Sequence, residues 1–375
     1  EGIQTAAEKR IKRMTAAKIN GTATRVNIPR IRMFATASNG VIHAVDGESG
    51  RTMWKRRIGD PRYPSFRVAT NEDSLAIVNG STLYLVEQET GRLLWDRSLI
   101  GTPGAAPALS NFFAFVPTVT GQLEVYSVEK GGPPTTVYQA SGRALVRPTV
   151  TSRSVTWPTN RGHMYFAEAD HATLRFRLEA NQDIVSSAGF LAPNLVFITS
   201  VDGYVYCIDE AKEQIAWQVS LGTAMSQSPL AIDEQCLVVT DEDELICLDA
   251  LNGKQIWGPV FNVSRLMSVS EEKIYALDRR GDLVIIRRES GGRQRTIRLN
   301  GTAIPFVNTQ TDRLFLTNKQ GLVVCLHEEK YEFPHIHVDI PEPTEEGDES
   351  SIDDPDSTDD PDATDPGKKK DPFAP

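Results

Sequence analysis

Four copies of one eleven-residue phrase decide what this chain can fold into. They read AVDGESGRTMW at Ala44–Trp54, LVEQETGRLLW at Leu85–Trp95, CIDEAKEQIAW at Cys207–Trp217 and CLDALNGKQIW at Cys247–Trp257. Upstream of each lies a strand, a tight turn and a second strand. The turn residues are Gly40, Gly80, Gly121, Gly162, Gly203, Asp243, Gly281 and Gly321, spaced 38 to 41 residues apart. A unit that cannot bury its own apolar face must stack on its neighbours, so the period specifies the architecture.

Each unit has two clear strands around its turn, as in CLVVT (Cys236–Thr240) and ELICLD (Glu244–Asp249). Junctions such as Asn39-Gly40, Asn79-Gly80 and Asp202-Gly203 suit hairpins that need positive φ. A fainter strand precedes each pair (Ala105–Ser110, Gln227–Ile232), and another follows the tryptophan (Gln218–Leu221). Helical periodicity of any length is missing from these units. The expectation is an all-β, eight-bladed β-propeller of four-stranded antiparallel blades over residues 22–338.

The phrase has a structural logic. Asp46, Asp209 and Asp249 can cap the backbone of the turn after the third strand, and Gly50, Gly91 and Gly253 allow its left-handed residue. Trp54, Trp95, Trp217 and Trp257 then start the outer strand, where an indole can cover the seam with the next blade. Burial of such a ring is worth about 2–3 kcal/mol. Units three, four, seven and eight lack the tryptophan. Phe176 and Thr296 stand at its place in two of them, and His327 replaces the aspartate in the last.

Ala-x-Asp-x-x-x-Gly-Arg/Lys-x-x-Trp resembles the docking motif of the pyrroloquinoline-quinone-like propeller repeat. Ala44–Trp54 matches it almost throughout. The resemblance covers about residues 30–330 and implies the fold more strongly than a function. One branch of that superfamily holds quinoprotein alcohol and sugar dehydrogenases, and another is non-enzymatic and BamB-like. The enzymes carry adjacent cysteines and calcium ligands on inserted loops. Here Cys207, Cys236, Cys247 and Cys325 are dispersed, the insertions are missing and no Cys-x-x-Cys-His haem motif occurs. The resemblance therefore implies no catalytic residues, no cofactor and no metal.

The chain holds 50 acidic and 40 basic residues. Fourteen of the acidic and three of the basic residues follow position 338, so the body carries a net charge of +1. That balance gives no electrostatic case for nucleic acid as partner. Residues 339–375 repeat DDPDST (Asp353–Thr358) as DDPDAT (Asp359–Thr364). This stretch has little to bury and is expected to be a disordered acidic tail, a candidate for weak Ca2+ binding. Residues 1–21 show Ile3, Ala7, Ile11, Met14 and Lys18 at helical spacing among basic residues. They are expected to form a helical basic extension that packs on the body, frays or touches an anionic membrane surface. No transmembrane span is visible. The first residue is Glu rather than Met, consistent with a leader that was cleaved or omitted. The resemblance implies export to the periplasm or envelope of a bacterium.

Four further expectations concern side chains. Cys236 lies almost opposite Cys247 and is a candidate for a bridge. His335, His337 and Asp339 alternate along one strand face but supply too few ligands for a metal centre. Arg147, Ser187 and Gln227 are equivalent positions on first strands, which line the channel of a propeller, and Arg147 could meet an acidic partner. Thr22–Ile28 could open the first blade or complete the last, a role for which Glu332–Val338 competes. The reading that follows is a non-catalytic, exported, BamB-like scaffold for a protein partner. Its rivals are a quinoprotein oxidoreductase and a sensor or carbohydrate-binding propeller.

Overall fold

The computed structural model describes residues 31–337 except 38, 172, 300–303, 319–320 and 332. The chain divides into two units, Glu1–Asp339 and Ile340–Pro375, and every described residue belongs to the first. The expected N-terminal helix, the Thr22–Ile28 strand, Asp339 and the acidic tail lie outside the described residues.

Among the described residues the strands form eight antiparallel sheets in chain order and no helix. Sheet 2 shows the pattern. Ala69–Thr70, Ser74–Asn79, Thr82–Glu87 and Leu93–Ser98 pair in sequence order. Sheets 3 to 7 repeat it over 108–139, 149–179, 189–220, 230–261 and 265–297. Sheet 1 has Arg32–Thr36, Val41–Asp46 and Thr52–Arg57, and sheet 8 has Ile304–Pro305, Leu314–Thr317 and Val323–Leu326.

Burial explains why the strands read differently. The second strand of sheet 2, SLAIVN, is buried at every position, whereas its outer strand, LLWDRS, is largely exposed. A middle strand covered on both faces needs an unbroken apolar run, and a strand at the rim does not. Seven apolar clusters fill the gaps between successive sheets, from Ile42, Leu75 and Ile77 between sheets 1 and 2 to Met267, Leu283 and Leu314 between sheets 7 and 8. Sheet 8 meets sheet 1 through a polar contact, Arg313 Nε to Glu48 Oε1 at 3.4 Å.

Each phrase tryptophan reaches the following sheet. Nε1 of Trp54, Trp95 and Trp217 donates to the carbonyls of Gln88, Val128 and Ala250 at 2.9 Å, and that of Trp257 to Arg288 at 2.8 Å. The rings lie on Gly91, Gly131, Gly253 and Gly291 of that next sheet. A Cβ on Gly253 would come within 2.6 Å of the Trp217 ring, so a bare backbone there is a packing requirement. Asp46 Oδ1 accepts from the Ser49 amide, Asp209 Oδ1 from Ala211 and Lys212, and Asp249 Oδ1 from Leu251 and Asn252. The turn residue Asp243 takes the positive φ, 61°, that its glycine counterparts take.

Three expectations need correction. Pairing places Arg295, not Thr296, at the tryptophan position of sheet 7, because Arg295 faces Ile285, four residues after the turn. Leu237 pairs with Cys247, and Cys236 with Leu248. That one-residue offset puts the two thiols on opposite faces of sheet 6, one packed toward sheet 5 and the other toward sheet 7. A bridge between them is ruled out, and all four cysteines are free. Finally, residues 335–337 do not extend sheet 8. Ile336 bridges Thr311, and the His337 amide donates to Gln310.

Candidate functional site: the channel wall and mouth

First strands of neighbouring sheets lie against one another and form the inner wall. Arg147, Ser187 and Gln227 stand on or just before these strands, and side-chain bonds to main-chain carbonyls stitch the wall there. Arg147 Nε donates to Pro107 O at 3.1 Å, and Ser187 Oγ to Arg147 O at 2.8 Å. Gln227 Nε2 donates to Ser264 O, and its own carbonyl accepts from Thr199 Oγ1, both at 2.7 Å. Sheets 3 to 7 are thus joined by polar groups at one level. Ser187 and Gln227 are half-buried, whereas Arg147 keeps part of its side chain exposed while its Nε joins the stitching.

Sequence reasoning missed Arg67. It precedes the first strand of sheet 2 as Arg147 precedes that of sheet 4, two periods apart, and that spacing was the available signal. Arg67 is also exposed. Among the described residues neither guanidinium has an ion-pair partner. Burial by surrounding protein, and then the Arg67 charge, pull the Arg147 pKa below its usual value. The two cations therefore feel each other, and an anion held between them would relieve the repulsion.

The turns between first and second strands form one mouth of the channel. A cavity of about 450 Å³ opens there, lined by turns of sheets 2 to 4 and by Gln310 of sheet 8. Glu72, Asn111, Phe112, Arg153 and Asp170 give it a mixed polar rim with one exposed ring. Side chains fix the turns: Gln88 Nε2 donates to Asn71 O, Asn71 Nδ2 to Ser110 O and Ser110 Oγ to Ala169 O, at 2.8 to 2.9 Å. Thr151 Oγ1 donates to the buried carboxylate of Glu210 at 2.7 Å. Burial raises the Glu210 pKa, and this hydrogen bond only partly opposes the rise.

The histidine pair sits apart from that chemistry. The rings of His335 and His337 meet edge-on with centroids 5.1 Å apart. His337 Nε2 donates to Val269 O at 2.8 Å, so this nitrogen is engaged by the backbone. Among the described residues no group of three or more His, Cys, Asp and Glu could hold a metal ion.

A family model described as outer membrane protein assembly factor BamB matches residues 38–132 and 177–344. The chain belongs to the BamB family. Its repeat is accordingly the pyrroloquinoline-quinone-like repeat, and its architecture is a β-propeller. The crystal structure of BamB from Moraxella catarrhalis is similar, with a TM-score of 0.64 at 14% identity over 81% of this chain and 99% of that one. The computationally designed protein Ika8 superposes with a TM-score of 0.62, also at 14% identity, over 82% of this chain and 95% of that one. At such identity the likeness is one of fold. No curated protein matches in sequence. BamB-family membership makes a protein-interaction scaffold the kind of role to expect of this propeller.

Proposed function

We propose that this protein is a non-catalytic propeller of eight blades, exported to the bacterial envelope, that holds a protein partner at its channel. Its eight sheets are the blades of one ring, and the contact from Arg313 to Glu48 lies at the closing seam. Family membership supports a scaffold, and the envelope assignment rests on the family's description.

The observation that carries the site is the uncompensated pair Arg67 and Arg147. Ser187 and Gln227 spend their polar atoms on neighbouring carbonyls, but these two cations remain exposed on the channel wall without carboxylate partners among the described residues. An acidic segment of a partner is the complement to such a wall, and its hold should weaken with salt.

The test is capture from envelope extract by immobilised wild-type protein, Arg67→Ala and Arg147→Ala at two salt concentrations. One protein retained by the wild type, and lost at high salt or in either variant, is the expected result. Equal capture by all three would remove the arginines from the site, and consistent recovery of no protein would count against the scaffold itself. Addition of the quinone and calcium should give no dye-coupled alcohol oxidation. Turnover there would overturn the non-catalytic reading.

A further inference from the structure

The turn between the first and second strands is built alike in sheets 2, 3, 4 and 8. Its leading side chain folds back on the backbone. Asn71 Oδ1 accepts from the amides of Asp73 and Ser74, and Ser110 Oγ from those of Phe112 and Phe113. Thr151 Oγ1 accepts from Arg153 and Ser154, and Asn308 Oδ1 from Gln310 and Thr311. Short polar side chains suit this local closure. Their donors are occupied as well, by the carbonyls of Ser110 and Ala169 for Asn71 and Ser110, by Glu210 for Thr151 and by the Arg313 carbonyl for Asn308. The leading residues are thus engaged in holding the turns, which are in place before any ligand arrives.

The residues that follow them are not engaged in this way. Glu72, Asn111, Ser152, Arg153 and Gln310 are exposed, and their side chains make no hydrogen bond or ion pair among the described residues. All five line the cavity of about 450 Å³ at this mouth. Asp170 joins them, with the exposed His171 beside it at 3.9 Å, and so does the ring of Phe112, which is 58% exposed. Cavities of about 300–1,000 Å³ are of the size that holds small organic ligands. A fixed frame therefore presents uncommitted polar groups and one aromatic face to a single space.

The chemistry of those groups narrows the ligand. The carboxylates of Glu72 and Asp170 only accept, the Arg153 guanidinium only donates, and Asn111, Ser152 and Gln310 do both. An anion would complement Arg153 and face two carboxylates, and a cation would oppose Arg153. A neutral molecule whose groups both donate and accept satisfies the whole set, and hydroxyls have that property. Phe112 adds a flat apolar surface on which the C–H face of a sugar ring fits. The first strands that reach the cavity, Ala69–Thr70, Ala108–Leu109 and Thr149–Val150, have two residues each, too few to pair with an extended peptide. We propose that this cavity binds a neutral saccharide, with Phe112 as the stacking platform and Glu72, Asn111, Arg153 and Asp170 as partners of its hydroxyls. Arg67 and Arg147 precede the first strands and these turns follow them, so the saccharide site is separate from the one assigned to a protein partner.

The test probes an array of neutral and acidic glycans with the full chain, then titrates a retained neutral glycan as the free oligosaccharide. The wild type should retain at least one neutral glycan. Phe112→Ala should weaken its binding by at least about tenfold, whereas Phe112→Trp, which keeps a ring, should preserve it. Phe261→Ala is the control, because that ring is 65% exposed on the outer strand of sheet 6, away from the cavity, and its removal should leave the titration unchanged. Melting curves of each variant confirm that the fold is retained. No retained glycan, preference for acidic over neutral glycans, an unchanged titration with Phe112→Ala, or an equal loss with Phe261→Ala would each overturn the proposal. Failure of partner capture would leave this result untouched, so the two readings fail separately.

Discussion

Replacement of Gly253 by Ala should destabilise this protein far more than the same change at Gly50, and the excess measures one indole dock. Both glycines occupy the left-handed region, with φ of 72° and 69°. An alanine there costs about 1–2 kcal/mol, partly offset by a stiffer unfolded chain. At Gly50 the new methyl meets nothing within 4 Å among the described residues, so about 1 kcal/mol is the expected cost. At Gly253 it would lie 2.6 Å from Cε3 and 2.8 Å from Cδ2 of Trp217. Carbon contacts settle near about 3.5–4.0 Å, so the ring must move by about 1 Å. That displacement adds about 1–3 kcal/mol of overpacking. It also strains the 2.9 Å bond from Trp217 Nε1 to Ala250 O, worth about 0.5–1.5 kcal/mol. The expected excess is about 2–4 kcal/mol. Urea titration of both variants by tryptophan fluorescence reads it, with amide exchange in sheets 5 and 6 to localise the loss. The atoms met by the methyl belong to the six-membered ring of the indole, so Trp217→Phe should lower the cost of Gly253→Ala by more than half. Equal costs at the two glycines, or no coupling to Trp217, would refute the docking argument.

Three further outcomes follow from the structure. Arg313 is 1% exposed and faces Asp312, itself 3% exposed, and Glu48. Arg313→Met should therefore cost about 3–5 kcal/mol in urea unfolding, because it strands a buried carboxylate, and a loss below about 1 kcal/mol would count against the pairing. Burial pushes the Cys207 and Cys247 thiols up to about 12 and raises Cys236 and Cys325 as well, so exposure decides, and at pH 8 a disulfide reagent should reach only the half-buried Cys325 in the native protein. Four thiols should appear in denaturant, and a count of two would restore a bridge. Burial raises the Glu210 pKa above its unfolded value, so this group favours folding most when protonated and that contribution is lost as pH rises through about 4.3 toward the folded value. Glu210→Gln, which does not titrate, should gain stability relative to wild type across that window in melting curves, and a flat difference would reject the shift.

Part of the site was legible because it is periodic. Arg147, Ser187 and Gln227 were read as equivalent by counting repeats, and each makes a side-chain hydrogen bond to a neighbouring sheet. Arg67 obeys the same count and was overlooked because the first strands are too short to show a pattern of their own: Ala69–Thr70 has two residues. The mouth was not legible. Glu72, Phe112, Arg153 and Asp170 look like ordinary turn residues, and nothing local says that Gln310 lines the same cavity.

The sequence by itself determined the period, the hairpins and the docking of one sheet on the next. Those features depend on residues within about one repeat of each other, where turn stereochemistry and apolar alternation act directly. Tertiary structure alone decided which thiol faces which neighbour, which residue replaces the tryptophan in sheet 7, and where residues 335–337 settle. Each of these turns on a one-residue register or on a meeting of distant segments, and in a strand a shift of one residue reverses the face a side chain presents.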